Sequence, residues 1–215
     1  MAKPLQSEEI HKKLNKYIAN IITLLRIPLT IVFIYKFYYY WTSDKGTLTS
    51  LLFLLLLIYL TDLSDGKIAR KLNIVSKFGT YLDVYVDLFH IISCLIMFNV
   101  FNLVPIWFTI IVVLKFVEFN VTSYIVKKYS YDKPIFMFDK LGRLVCAAYY
   151  VVPFFACILS SDITSNYKEG LGFLLIIILI GTIVSSLARS IECIKINKYN
   201  NNQVINAVIE ERRCI

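Results

Sequence analysis

Charged residues are scarce in this sequence, and their scarcity excludes an ordinary water-soluble protein. Only 18% of the 215 residues are Asp, Glu, Lys or Arg, whereas 58% are hydrophobic, a balance unlike that of soluble domains. Cysteine is also sparse, and the five cysteines are scattered along the chain. No two of them have the spacing of a metal site, so no zinc centre is predicted. No disulfide is predicted either, because a reducing compartment is expected to keep the thiols free.

The hydrophobic residues are gathered into blocks, each close to the roughly 20 residues that cross a bilayer as a helix. The third and fourth blocks are divided at Asn102 to Pro105, because proline ends or restarts a helix. Residues 4–16 are predicted to form an amphipathic interfacial helix, and no signal peptide is predicted. The predicted fold is all-α and integral to the membrane, with six transmembrane helices at residues 17–36, 47–63, 79–102, 105–126, 141–161 and 170–188.

The positions of the basic residues predict how the chain is oriented. Seventeen of the 23 Lys and Arg residues lie in the N-terminal segment, in residues 64–78, in residues 127–140 and in the tail from Arg189. The alternate loops hold Lys45 and Lys168. Because basic residues mark the cytoplasmic side, we expect both termini there, with a membrane domain over residues 1–190 and a cytoplasmic tail over 191–215. The net charge of +8 then indicates a lipid surface as partner, and no nucleic acid.

Four carboxylates stand at or inside the ends of two predicted membrane helices. Asp62 and Asp65 lie about 60° apart on their helix, and Asp83 and Asp87 about 40° apart on theirs, so each pair shares a face. An isolated Asp at the centre of a membrane helix costs about 2.5–3.5 kcal/mol. The four charges must therefore be neutralised.

Two ways of neutralising them are open. Neighbouring Lys and Arg side chains would form a salt-bridged rim, whereas divalent cations would sit between the carboxylates. Oxygen ligands from two helices are what Mg²⁺ or Mn²⁺ prefer, and two such ions would hold a pyrophosphate. Gly66 and Gly79 beside the carboxylates favour the metal explanation, because glycine lets phosphates approach the backbone closely.

Residues 62–87 resemble the signature of the CDP-alcohol phosphotransferases, D-x-x-D-G-x-x-A-R-x(8)-G-x(3)-D-x(3)-D, at all eight fixed positions. The resemblance implies transfer of a phosphatidyl group from CDP-diacylglycerol to the hydroxyl of a small polar alcohol, with release of CMP. It also implies a cofactor of two Mg²⁺ or Mn²⁺ ions, a homodimer, and an active site on the cytoplasmic side of a bacterial-type cell membrane.

By matching position, Asp62, Asp65 and Asp83 resemble the family's metal ligands. Asp87 resembles the residue that completes the second metal site and acts as the general base toward the acceptor hydroxyl. Contacts to the CDP moiety are implied for Gly66, Arg70, Gly79, Ser76, Asn20 and Thr23. An ordinary loop serine and a polar helix start are the alternative interpretations of the last three.

The segment from Asn20 to Pro28 resembles bacterial phosphatidylglycerophosphate synthases, which use glycerol 3-phosphate as acceptor. Such enzymes usually carry Lys directly after the last motif Asp, where this chain has Leu88, so inositol phosphate and serine stay open as acceptors. A phosphorylated acceptor needs cations, and we predict this role for Lys140, Arg143 and Arg189. Their alternative role is simple flanking of membrane helices on the cytoplasmic side.

Other polar residues inside the predicted spans favour structural roles. Lys115 and Glu118 are three residues apart and are predicted to pair, and His90 is predicted to be a core histidine. Arg26 and Lys36 are expected either to extend to the membrane surface or to line the cavity. The competing classes of protein are a cation transporter and a catalytically inactive membrane scaffold.

Overall fold

A computed structural model describes the backbone of residues 3–43, 47–71, 76–129, 140–161 and 167–213. These ranges are almost entirely helical and contain no strand, which confirms the all-α class. The helices are α1 (Lys3–Ser43), α2 (Leu48–Lys71), α3 (Lys77–Val100), α4 (Ile106–Tyr129), α5 (Lys140–Ser161) and α6 (Tyr167–Arg213).

Five of these helices contain a segment long and apolar enough to cross a membrane. The apolar part of α2, Leu48–Ser64, is shorter than the other segments, so the count of six spans stays a prediction. The five segments are Asn20–Ser43, Phe78–Val100, Ile106–Ile125, Leu141–Leu159 and Glu169–Lys195.

Large apolar side chains on the outside of the helices agree with a lipid surrounding. Ile31, Phe53, Ile110 and Phe173 are each more than half exposed within apolar segments. In water a surface of this kind is unfavourable and typical only of interaction sites. A hydrocarbon solvent removes that penalty, so the exposed residues support the predicted membrane location.

The predicted N-terminal and C-terminal segments are continuous with the first and last helices, α1 and α6. The predicted interfacial helix at 4–16 lies within α1, and its side chains fall outside the described residues, so its amphipathic character stays a prediction. At the other end, α6 runs past residue 190 to Arg213. The predicted tail is thus helical up to that residue, and the domain boundary at 190 stays a prediction.

The chain forms two compact units. The first comprises Met1–Thr109 and Tyr150–Leu171, and the second comprises Ile110–Tyr149 and Gly172–Ile215. The whole carboxylate motif of residues 62–87 lies in the first unit.

In the first unit, α1 packs against α2 and α3. Its buried stripe consists of Thr23, Arg26, Thr30, Phe33 and Phe37, residues that recur every three or four positions and therefore share one helix face. The stripe is polar toward residue 23 and aromatic toward residue 37. This pattern places a buried arginine among the helices that carry the carboxylates.

The predicted break between the third and fourth helices is confirmed, because α3 ends at Val100 and α4 begins at Ile106. Asn102 has a φ of 55°, a left-handed conformation that asparagine tolerates better than most residues. The Asn99 side chain closes this corner by donating a 2.8 Å hydrogen bond to the Val104 carbonyl. Two prolines inside helices, Pro28 in α1 and Pro153 in α5, do not end those helices.

Candidate metal centre

Three carboxylates of the sequence motif meet in the first unit. Asp62 lies in the C-terminal half of α2, and Asp83 and Asp87 lie one turn apart on α3. One oxygen of each can be chosen so that all three lie within 4.8 Å of one another. Carboxylate oxygens from two helices therefore converge, as the metal explanation requires, for these three residues.

Arg26 of α1 contacts all three carboxylates. Its guanidinium nitrogens lie 3.0 Å from Asp62 Oδ1 and 3.5 Å from Asp83 Oδ1, and Nη1 also donates to Asp87 Oδ1. The arginine side chain is fully buried, while the carboxylate side chains are 32%, 42% and 30% exposed for Asp62, Asp83 and Asp87. The guanidinium thus holds the cluster from its buried side, and the carboxylates open outward.

The sequence is compatible with an Arg26 side chain that extends to the membrane surface or one that lines the cavity. The structure places it inside the carboxylate cluster. The available signal was its spacing from Thr23 and Thr30, since the three residues form one polar face within an apolar segment. That spacing indicates a shared face but not what the face meets, because the packing of α1 on α2 and α3 is not encoded locally.

The cluster fits a hard divalent cation. Carboxylate oxygens converging from two helices are the ligands that Mg²⁺ and Mn²⁺ favour. One guanidinium against three carboxylates leaves a net charge of −2 among these four described side chains. Like charges at such short range repel strongly unless a cation compensates them. Asp62, Asp83 and Asp87 are therefore suited to hold a metal ion.

Several predicted site residues fall outside the described side chains. Asp65, Gly66 and Arg70 lie on the last turns of α2, and Lys140 is the first residue of α5. Their backbone is helical, and their predicted roles stay predictions.

The start of α3 brings three of the predicted nucleotide contacts together. Ser76 caps the helix, and its hydroxyl accepts a 3.0 Å hydrogen bond from the Gly79 backbone N–H. A Cβ atom on Gly79 would lie 3.1 Å from both Asn20 Oδ1 and Ser76 Oγ. Glycine thus suits the close approach of α1 to α3, because a Cβ atom here would force these two side chains to shift. Ser76 has a structural role as the cap of α3 whether or not it also binds nucleotide. Thr23, one turn after Asn20, is buried on α1.

His90 is a buried core histidine, as predicted. Its Nδ1 lies 3.0 Å from Thr30 Oγ1, and its ring contacts the Tyr150 ring with centroids 5.1 Å apart. Thr30 donates its single hydroxyl proton to the Arg26 carbonyl at 2.8 Å. Oγ1 must therefore accept from Nδ1–H, so the imidazole supports the same turn of α1 that carries Arg26.

The cations predicted to bind the acceptor lie in the second unit. Arg143 is exposed on α5, whereas Arg189 on α6 is buried. The Arg189 guanidinium donates from Nε to Thr122 Oγ1 and from Nη2 to Ser123 Oγ at 2.7 Å, and it lies 4.6 Å from the centre of the Phe119 ring. Arg189 thus fastens α6 to α4, and binding of an acceptor by these cations stays a prediction.

The predicted pair on α4 is confirmed and extends to α6. Lys115 Nζ lies 3.2 Å from Glu118 Oε2 and 2.9 Å from Ser186 Oγ, and Ser186 donates in turn to Glu118 Oε2. Lys115 is buried, so the carboxylate and the hydroxyl supply the partners that a charge inside an apolar segment needs.

Fold and site together define a class: a helical membrane protein with a buried arginine and a carboxylate cluster suited to a divalent cation. The family model of the CDP-alcohol phosphatidyltransferases matches residues 16–186. Since this match covers most of the chain, the protein belongs to that family. The rival interpretations as a transporter or a scaffold find no support in this membership.

Individual relatives match shorter segments. A CDP-diacylglycerol–glycerol-3-phosphate 3-phosphatidyltransferase of Bacillus subtilis is 41% identical over 63 residues, which are 29% of this chain and 32% of the relative. A cardiolipin synthase (CMP-forming) of Streptomyces coelicolor is 30% identical over 111 residues, 52% of this chain and 50% of the relative. A putative cardiolipin synthase of Mycobacterium tuberculosis is 30% identical over 93 residues, 43% and 42% of the two chains. The chain thus spans between a third and a half of the length of these relatives.

Proposed function

We propose that the protein transfers the phosphatidyl group of CDP-diacylglycerol to the hydroxyl of a small polar alcohol, glycerol 3-phosphate, and releases CMP. The observation that carries the proposal is the convergence of Asp62, Asp83 and Asp87 within 4.8 Å inside a protein of this family. A reaction at a pyrophosphate needs concentrated positive charge beside the phosphate oxygens. The carboxylate cluster is suited to bind metal ions, which would supply that charge.

In the proposed reaction the acceptor oxygen forms a bond to the phosphatidyl phosphorus, and the bond from that phosphorus to the bridging pyrophosphate oxygen breaks. CMP leaves with the bridging oxygen and its electron pair. Asp87 takes the proton of the acceptor hydroxyl, in keeping with its partly exposed carboxylate. Two Mg²⁺ or Mn²⁺ ions, held by Asp62, Asp65, Asp83 and Asp87, would neutralise the pyrophosphate and stabilise the leaving group.

The CDP moiety is proposed to bind near the start of α3. Gly79 supplies a surface without a side chain, and Asn20 and Ser76 border it. Thr23, Gly66 and Arg70 complete the proposed set, with the arginine holding phosphate oxygens through its planar fork.

Glycerol 3-phosphate is proposed as acceptor because the name of the Bacillus subtilis relative specifies it and because Lys140, Arg143 and Arg189 offer charges for its phosphate. Inositol phosphate would use the same cations, whereas serine would depend on them less.

A second candidate follows from the names of the Streptomyces and Mycobacterium relatives. Cardiolipin synthesis would use the same donor and the same carboxylates but an alcohol that is itself a phospholipid, phosphatidylglycerol. The two candidates therefore differ in the acceptor alone.

The proposed setting is a bacterial-type cytoplasmic membrane, crossed by six helices with α2 as the second. Both termini and the carboxylates would face the cytoplasm, residues 4–16 would lie along the surface, and residues 191–215 would form a cytoplasmic tail. A homodimer is proposed on the family resemblance.

The test incubates purified full-length protein with CDP-diacylglycerol and Mn²⁺ or Mg²⁺ and follows CMP release. Glycerol 3-phosphate, inositol phosphate, serine and phosphatidylglycerol are supplied one at a time. We expect the fastest release with glycerol 3-phosphate, and preference for phosphatidylglycerol would favour the second candidate. Absence of CMP with every acceptor would refute both.

A further inference from the structure

We infer that Arg26 is the internal counter-cation of the carboxylate cluster: it compensates the carboxylates in the metal-free protein and competes with divalent ions for them. The inference rests on the metal centre proposed above. It assigns a function to a residue that lies outside the sequence motif of residues 62–87.

The geometry shows one cation shared by all three carboxylates. The guanidinium contacts Oδ1 of Asp62, Asp83 and Asp87, and a single side chain of α1 therefore connects α1 to both carboxylate-bearing helices. A carboxylate has two oxygens with several lone pairs, so ions approaching from the exposed side would engage ligands that Arg26 already contacts.

Burial makes the arginine and the carboxylates depend on each other. A fully buried guanidinium within an apolar helix is tolerated only when it is paired. Removal of the charge at position 26 would leave three carboxylates within 4.8 Å without this cation. The metal-free protein is therefore expected to need Arg26 more than the metal-loaded protein does.

The same charge opposes the ions. A cation beside a group of carboxylates reduces their attraction for a second cation and repels that cation directly. The coupling is reciprocal, so divalent ions must weaken the hold of Arg26 on the carboxylates by the same factor. Arg26 would thus maintain the site without metal and moderate how tightly metal is held.

The experiment measures Mn²⁺ affinity by electron paramagnetic resonance on purified full-length protein, together with the unfolding temperature in EDTA and in Mn²⁺. R26Q removes the charge and keeps hydrogen-bonding capacity. K36Q is the matched control, since Lys36 is an exposed cation on the same helix. R26K retains the charge.

We expect R26Q to bind Mn²⁺ about ten-fold more tightly than the wild type, within the usual range of coupling between sites. Its unfolding temperature should fall in EDTA and recover in Mn²⁺. K36Q and R26K should keep the wild-type Mn²⁺ affinity to within about two-fold, because neither changes the charge beside the carboxylates.

Equal or weaker Mn²⁺ binding by R26Q would overturn the inference, as would an equal loss of stability with and without metal, which a purely structural residue would give. If R26Q does not fold, the side-chain ¹⁵N resonances of Arg26 in the wild type are followed during Mg²⁺ titration. They should shift at saturation, and no shift would overturn the inference. A wild type that binds Mn²⁺ but releases no CMP would instead refute the proposed function alone.

Discussion

The charged side chains of the two units have different kinds of partner. In the first unit one guanidinium faces three carboxylates, and all three are partly exposed. In the second unit Lys115 is paired with Glu118 and Ser186, and Arg189 is held by neutral oxygens and an aromatic ring. Among the described side chains, the first arrangement sets one positive charge against three partly exposed carboxylates. The second places each cation against partners within the same unit.

This difference indicates how a polar residue inside an apolar helix can be interpreted. A charge whose partners are all supplied by neighbouring helices contributes to helix packing. A set of like charges that converges at a partly exposed position is suited to recruit a ligand, and here that ligand would be a divalent cation. We therefore expect the first unit to respond to a divalent cation and the second unit to be insensitive to it.

The largest expected effect is that of Asp87→Asn on catalysis. An amide cannot take the acceptor proton, so CMP release should fall by about a hundred-fold or more, while binding of CDP-diacylglycerol is largely retained. Glu192→Gln is the control, because it neutralises a carboxylate of α6 outside the buried Lys115–Glu118 pair and should keep most of the activity. More than a tenth of wild-type turnover in Asp87→Asn would contradict the role of base.

Metal removal should affect the first unit and leave the second unit unchanged. With EDTA, CMP release should stop and return on addition of Mn²⁺ or Mg²⁺. Hydrogen exchange read by mass spectrometry should increase at the end of α2 and the start of α3, since their carboxylates then repel one another. Peptides of α4 that contain Lys115 and Glu118 should not change. Equal changes in both units would contradict a metal site confined to the first unit.

Breaking the pair of Lys115 and Glu118 should lower the free energy of unfolding. Glu118→Gln leaves the buried ammonium of Lys115 without this counter-charge, and we expect a loss of about 3 kcal/mol in the free energy of unfolding. The double variant K115M/E118Q removes both charges and should recover most of that loss. Denaturation by sodium dodecyl sulfate, followed by circular dichroism, measures the difference. No recovery in the double variant would argue against the ion pair.

The smallest effect is expected at the start of α3. Ser76→Ala removes the hydroxyl that caps the helix, which typically costs about 1 kcal/mol. Ser76→Thr keeps a capping hydroxyl and serves as the control. If Ser76 also binds nucleotide, the apparent KM for CDP-diacylglycerol should rise in Ser76→Ala beyond what the stability change explains.

Much of the fold could be predicted from the sequence because hydrophobic length dominates in a membrane protein. The apolar blocks predict the helices, and Pro105 marks the boundary at which α4 begins one residue later. The long continuous helices α1 and α6 were not predicted, since polar segments at either end of the chain are compatible with both separate and continuous helices.

The part of the site that depends on spacing within one helix could be predicted from the sequence. The periodicity of Asp83 and Asp87 indicates a shared face of α3, and the family signature identifies their partners on α2. Arg26 could not be assigned in the same way, because its contact with these carboxylates depends on the packing of helices that lie about 36 to 61 residues apart in sequence. The partners of Arg189 on α4 escaped prediction for the same reason.

The central claim is that the carboxylates of the first unit hold a divalent cation. Anomalous diffraction from crystals of the protein grown with Mn²⁺ tests it most directly. We predict an anomalous peak within coordination distance, roughly 2.0–2.4 Å, of oxygens from Asp62, Asp83 and Asp87. Crystals that contain saturating Mn²⁺ but show no peak at these carboxylates, with Arg26 still in contact with them, would contradict the account.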